Sequence, residues 1–280
     1  RHENKHERYI LTLYEKRVRE SDLPFFIGLM EHLARSGRNC PLPITAHTGG
    51  ALQKCGGKTA LISSFLEGKG VKRSSNEQLY ALGKEAAQMH LAVSNFTLSR
   101  SNDLSPPVLK PLLEKVGSAI DEFEPGLFSA LQDEMQQFAA WQEFGMPSGV
   151  IHADLFPDNV FFMGDTLTGV IDFYFACTDY FAYDLAICIN AWCFEGNTDF
   201  NITKARHLLD GYNSIRPLNE QEMQYLPLLC RGAAVRFMLT RAHDWFRPVE
   251  GAIVTPKDPR EYIKKWHFHR QVKSYRDYIL

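Results

Sequence analysis

The sequence predicts an α+β fold of two unequal lobes around a cleft: a small, incomplete N-terminal β lobe over residues 1–66 and a larger, mainly helical lobe over residues 67–280. Three observations predict it. Strand-forming runs separated by Gly and Pro are concentrated in the first lobe, apolar residues recur at helical spacing from Ser74 onward, and one later stretch, Val150 to Phe173, sets polar residues against buried-strand sequence. A chain of 280 residues with 45% hydrophobic composition can bury one large core or two unequal ones.

The first strand is expected at Tyr9-Ile-Leu-Thr-Leu-Tyr14, which alternates and is rich in strand formers. Ser21-Asp-Leu-Pro24 reads as a helix start, with Ser21 or Asp22 as cap and Pro24 in the first turn. Phe25, Phe26, Leu29, Met30 and Leu33 then follow at helical spacing until Gly37. Two short strands around Leu52 and Thr59 to Ile62 flank a Gly56-Gly57 turn. The lobe boundary is expected between Ser63 and Lys69. Glu77 to Val93 carries one apolar face, residues 94–111 read as a loop, and two helical stretches run to about Phe144. Val150 to Val160 and Leu167 to Phe173 read as a strand-loop-strand pair, and the pattern after Tyr183 is helical throughout.

Composition excludes several classes of function. Thirty-one Lys and Arg against 33 Asp and Glu leave a formal charge of -2, too little positive field for a nucleic-acid partner. The longest apolar runs are interrupted by Asp184 and Asn190, so no membrane segment is expected. Six scattered cysteines without a C-x-x-C pair, and no secretory signal, point to reduced thiols in a cytoplasm. Nothing in the sequence bears on oligomeric state.

Chemistry concentrates in Val150-Ile-His-Ala-Asp-Leu-Phe-Pro-Asp-Asn159 and, past a turn at Gly164-Asp165, in Gly169-Val-Ile-Asp-Phe173. Phosphoryl transfer needs a carboxylate to orient the attacking hydroxyl and oxygen ligands for a Mg²⁺ ion on the phosphates. Asp154, Asn159 and Asp172 supply that inventory. His-x-Asp-Leu with Asn five residues after the Asp is a kinase catalytic-loop spacing, and Asp172 lies 13 residues beyond Asn159, room for a short hairpin. Asp158 reads as a turn or solvated carboxylate, and His152 as a packed residue whose ring ties down loop backbone.

At these residues the chain resembles the aminoglycoside phosphotransferase and choline kinase branch of the protein-kinase-like fold. Phe65-Leu-Glu-Gly68 resembles its hinge, Leu82 to Ala92 its helix ending in a Met-His pair, and Tyr183-Asp-Leu-Ala186 its later Asp-Leu-Ala. The resemblance implies Asp154 as catalytic base, Asn159 and Asp172 as Mg²⁺ ligands, Asp184 as the carboxylate that orients the loop, and backbone from Ser63 through Ser64 and Phe65 to Leu66 as the reader of adenine in ATP. Within that family, Ile10 to Arg17, Asp22 to Phe26, Ile171 to Cys177, Asn190 to Phe194 and Arg231 to Phe237 resemble its bacterial type II homoserine kinase branch.

That branch implies transfer of phosphate from ATP to the hydroxyl of L-homoserine. For such an acceptor the expected contacts are Arg236 and Arg241 for a carboxylate, Asp179 or Glu195 for an ammonium, and Tyr174 and Trp192 as walls. Choline, methylthioribose or an aminoglycoside are the alternative acceptors, and a catalytically silent nucleotide-binding module is the alternative of another class. A protein acceptor is disfavoured, because Tyr174 follows Asp172-Phe173 where protein kinases have Gly, and no Ala-Pro-Glu occurs. Two parts of the pattern are lacking: the Gly-rich hairpin expected before Ile10, and a Lys within that strand, where Thr12 stands. Lys16 is the candidate phosphate contact.

Overall fold

The computed structural model of the chain describes residues 7–14, 18–47, 49–196, 198–248 and 255–280. In the small lobe, β1 (Tyr9–Leu13), β2 (Leu52–Cys55) and β3 (Lys58–Ser64) form an antiparallel sheet in the order β1-β3-β2. The β2–β3 turn falls on Gly56 and Gly57, both at positive φ (57° and 80°), a conformation side chains with a Cβ avoid. Helix α1 (Leu23–Arg35) packs the expected Phe25, Phe26, Leu29, Met30 and Leu33, and Gly37 at φ 76° follows its end. Its expected cap is not formed. Asp22 stands at the N-cap position, but its carboxylate faces Arg100 of the large lobe at 2.7 Å, a stronger partner than a backbone amide.

The large lobe comprises α2 (Asn76–Ala92), α3 (Lys110–Val116), α4 (Leu127–Gln137), α5 (Phe181–Trp192), α6 (Ile202–Asn213), α7 (Glu220–Phe246) and α8 (Arg260–Gln271). Ser75 and Gln78 close a capping box on α2, which satisfies amides that the first helical turn leaves without partners. Helices α2 and α6 cross at backbone contact. A Cβ on Gly83 would lie 2.0 Å from the Leu208 carbonyl oxygen, and one on Gly211 would lie 2.1 Å from that of Tyr80. Helix α5 is the axis of the lobe, with Ala182 through Asn190 all buried, as for a helix enclosed on every side.

Four short strands carry the site, and their pairing corrects the expected strand-loop-strand unit. β4 (Ser148–Ile151) pairs with β7 (Cys177–Tyr180), whereas β5 (Val160–Met163) pairs with β6 (Thr166–Val170). The segment between β4 and β5 cannot be extended, because Ala153 adopts φ 61° and the Phe156 and Asn159 amides turn back onto the carbonyls of Asp154 and Phe156. A further small hairpin, β8 (Phe194–Glu195) with β9 (Asp199–Phe200), lies where helix was expected, each strand too short to show a period. All six cysteines are free thiols. Among the described residues no helix is long and apolar enough to cross a membrane.

Candidate active site

The loop between β4 and β5 is held from below by one carboxylate. Asp184, fully buried in the first turn of α5, accepts the His152 amide at 2.8 Å on Oδ2 and the Ala153 amide at 2.7 Å on Oδ1. His90 of α2 approaches the same Oδ2 through Nε2 at 3.2 Å, while its Nδ1 meets the Tyr212 hydroxyl of α6 at 2.8 Å. Burial alone would raise the Asp184 carboxyl, but the hydrogen bond and charge of His90, with His152 behind it, outweigh that and hold it below the ordinary carboxylate value.

His152 ties the loop to the next segment. Its Nδ1 accepts the Asp154 amide at 3.2 Å, so Nε2 carries the proton and donates to the Ile171 carbonyl at 2.9 Å. Its ring stands edge-on to Phe173, which matches the loop-tying role expected for it.

The three polar residues converge. Asn159 donates Nδ2 to the backbone oxygen of Asp154 at 2.8 Å and to its Oδ2 at 2.9 Å, which leaves the amide oxygen as a ligand. The Ile171 amide donates to the Asn159 carbonyl at 2.9 Å, setting Asp172 beside the pair, and Asp172 itself sits at φ 64°. Left-handed backbone at two non-glycine residues, Ala153 just before Asp154 and Asp172 itself, is a strain that persists only where surrounding bonds over-determine it. Burial raises the Asp154 carboxyl above its ordinary value; Arg236 and His152 oppose the rise, and Asp172 and Asp158 add to it.

Beside the loop opens a cavity of about 700 Å³. Its walls come from segments distant in sequence: Gly70 to Ser74, Phe156 to Asp158, the end of α5 with β8, Lys204 of α6, and Arg241, Lys257 and Glu261. Of the expected acceptor contacts, Trp192, Glu195 and Arg241 line it. Trp192 donates Nε1 to the Leu155 carbonyl at 2.7 Å, Glu195 pairs with Lys204 at 2.7 Å, and Arg241 pairs with Glu261 at 2.6 Å while covering the Tyr262 ring.

The other expected contacts lie outside the cavity wall. Asp179, on β7, is engaged by Asn102, the Trp141 indole and the Tyr180 amide. Tyr174 bonds the Tyr14 hydroxyl at 2.9 Å and packs edge-on to Phe26, a contact between the lobes. Arg236 is 1% exposed and lies beneath the loop.

At the hinge, Ser63 pairs with Ile10, Ser64 donates its amide to the Leu42 carbonyl and accepts the Leu42 amide on Oγ, and the Phe65 amide donates to the Arg8 carbonyl; no hydrogen bond among the described residues takes the Leu66 amide. Lys16 lies outside the described residues. Sequence reasoning missed Lys72, Arg73, Lys257 and Glu261 on the cavity wall, whose only sequence signal was charge in loop or helix-start segments.

The phosphotransferase enzyme family matches residues 1–218. The homoserine kinase of Xanthobacter autotrophicus is 52% identical over 272 residues, covering 97% of this chain and 85% of that protein. That of Bradyrhizobium diazoefficiens is 52% identical over 274 residues, covering 97% and 84%. Among solved structures, the amicoumacin kinase hAmiN, in complex with AMP-PNP, Ca2+ and Ami, superimposes with a TM-score of 0.71 at 14% identity, covering 96% of this chain and 82% of that one. A microcompartment-associated aminopropanol kinase gives 0.62 at 15%, covering 96% and 84%. The chain belongs to the phosphotransferase enzyme family, as a small-molecule kinase of two-lobed fold. Within that family its sequence groups it with the homoserine kinases.

Proposed function

We propose that the chain transfers the γ-phosphoryl group of ATP to the side-chain hydroxyl of L-homoserine, forming O-phospho-L-homoserine on the way to threonine, in the cytoplasm. The observation that carries the chemistry is the bonding of Asn159 to Asp154 at 2.8 and 2.9 Å, with the Ile171 amide on the Asn159 carbonyl setting the neighbouring Asp172 within electrostatic reach of Asp154. The choice of acceptor is supported by half-identity to homoserine kinases along almost the whole chain.

Asp154 orients the attacking hydroxyl and accepts its proton. The Asn159 amide oxygen and the Asp172 carboxylate would hold Mg²⁺, which would supply positive charge against the charge on the transferred phosphoryl group. The donor set fits that ion. Among the described residues no three His, Cys, Asp or Glu form a ready cage, and Mg²⁺ favours one or two carboxylates completed by phosphate oxygens and water. Asp184 keeps the loop in register, the free Leu66 amide in the Ser63 to Leu66 hinge is the donor toward adenine, and Lys16 is the candidate phosphate contact.

The cavity is the acceptor site, with Trp192, Glu195 and Arg241 in contact with the amino acid. Lys72, Arg73, Arg241 and Lys257 among its lining residues suit a carboxylate-bearing acceptor and oppose a cation such as choline.

Purified protein with ATP and Mg²⁺, offered L-homoserine, choline, methylthioribose and an aminoglycoside in turn, should release ADP with homoserine at least about 100-fold faster, in kcat/KM, than with any other. Faster turnover of another acceptor would reassign the substrate. No turnover at all, with nucleotide still bound, would favour a silent module.

A further inference from the structure

We propose that Arg236 is a positioning residue for phosphoryl transfer: its buried guanidinium clamps the carbonyl of Ala153 and so fixes the peptide unit from which the Asp154 side chain projects. The inference rests on the kinase reading above and removes Arg236 from the acceptor contacts.

Three observations carry it. Arg236 lies in the middle of α7, is 1% exposed, and donates Nη1 to the Ala153 carbonyl at 2.8 Å. That carbonyl belongs to the same peptide unit as the Asp154 amide, which donates to His152 Nδ1 at 3.2 Å, so the plane carrying the base is gripped at both edges. Ala153 itself sits at φ 61°, a conformation that an alanine leaves unless its neighbours hold it. Asp184 holds the amide of this residue at 2.7 Å and Arg236 holds its carbonyl; without the second grip the peptide can rotate toward an unstrained conformation.

The guanidinium is a poor choice for packing alone. It is enclosed by Phe237, 4.7 Å from the ring centre, and by Phe175 at 5.7 Å, and its Nε is buried with no hydrogen-bond partner among the described residues. A buried cation is costly to desolvate, and an apolar side chain would fill the same space without that cost. The fork offers instead a rigid donor aimed at one carbonyl.

The test compares wild type, Arg236→Met and Arg236→Lys on the acceptor that wild type turns over fastest. We expect R236M to lose at least about 100-fold in kcat, with the affinity for Mg·ADP and the KM for ATP each within about twofold of wild type, because a misplaced base costs turnover and not nucleotide binding. R236K, which can reach the same carbonyl with one N–H, should recover at least about tenfold of that loss. The inference is overturned if R236M keeps more than about a third of wild-type kcat, or if R236K is no more active than R236M. Should R236M fail to fold by circular dichroism, R236Q takes its place under the same criteria. Turnover of homoserine by wild type tests the proposed function; the ratios among the variants test Arg236, so the two can fail separately.

Discussion

At the scale of single residues, the site is a set of oxygen atoms held by backbone bonds, and the position of the Asp154 carboxylate dominates. Asn159 and Asp154 lie five apart in sequence and bond side chain to side chain, which explains why their spacing was readable: a tight loop brings i and i+5 together whatever surrounds it. We expect Asp154→Asn to lower kcat by at least about 1,000-fold while leaving the affinity for Mg·ADP within about twofold, by steady-state kinetics and equilibrium titration. An amide cannot accept the hydroxyl proton but preserves size and the bond from Asn159. Tyr174 and Asp179 show the opposite case. Both follow the motif closely and carry suitable chemistry, yet Tyr174 faces the small lobe and Asp179 is taken up by Asn102 and Trp141, partners 77 and 38 residues away. Separations of that size are set by how the lobe packs, so no local pattern announces them.

At the scale of elements, the loop is positioned by the helices beneath it. His90 on α2, Asp184 on α5 and Tyr212 on α6 form one buried chain of bonds, so the α2–α6 crossing sets where the loop sits. Gly83 makes that crossing possible. An alanine there gains up to about 1 kcal/mol of helix propensity, but its Cβ would meet the Leu208 carbonyl at 2.0 Å, and overpacking against backbone costs about 1–3 kcal/mol or more. The clash wins. We expect Gly83→Ala to be destabilising by at least about 1 kcal/mol in urea unfolding, and an unchanged or raised midpoint would show that the helices can separate freely. The main helices were legible because their apolar faces recur at 3.6 residues, and β1 to β3 because Gly56-Gly57 marks the turn. Strand pairing around the site was not, since β4 and β7 are separated in sequence by the whole β5–β6 hairpin.

At the scale of the whole molecule, the lobes are tied together by Arg100, which reaches Asp22 at 2.7 Å and the Ala176 carbonyl at 3.2 Å and lies over the Phe26 ring. Both partners of the ion pair are mostly buried, with side chains 17% and 15% exposed, so removing one leaves a charge poorly solvated. Arg100→Met should cost on the order of 2 kcal/mol in urea unfolding, well above the ~0.5 kcal/mol typical of surface pairs. Acid should act through His269, whose burial, aided by Lys265 and Arg231, lowers its pKa from 6.5 to about 3. The unfolded chain then binds a proton that the folded one refuses. The stability this histidine contributes is complete above pH 6.5 and is lost progressively as pH falls toward 3. Between pH 7 and pH 5 the loss amounts to about 2 kcal/mol, and His269→Gln should flatten that part of the stability curve relative to wild type. Parallel curves for the two proteins would exclude His269 as the cause.

By itself the sequence determined the fold class, through the period of its apolar residues, and it singled out Asp154, Asn159 and Asp172 by their spacing within one loop and hairpin, with Asp184 added by resemblance to the family's Asp-Leu-Ala. Only the tertiary structure decided that Arg236 bonds the loop carbonyl of Ala153, that Asp179 and Tyr174 lie outside the cavity beside the loop, and that Lys72, Arg73 and Lys257 line it. The physical reason is range. Local backbone geometry is encoded in neighbouring residues, whereas the partner a charged side chain finds across the core depends on packing between segments that no period or motif relates.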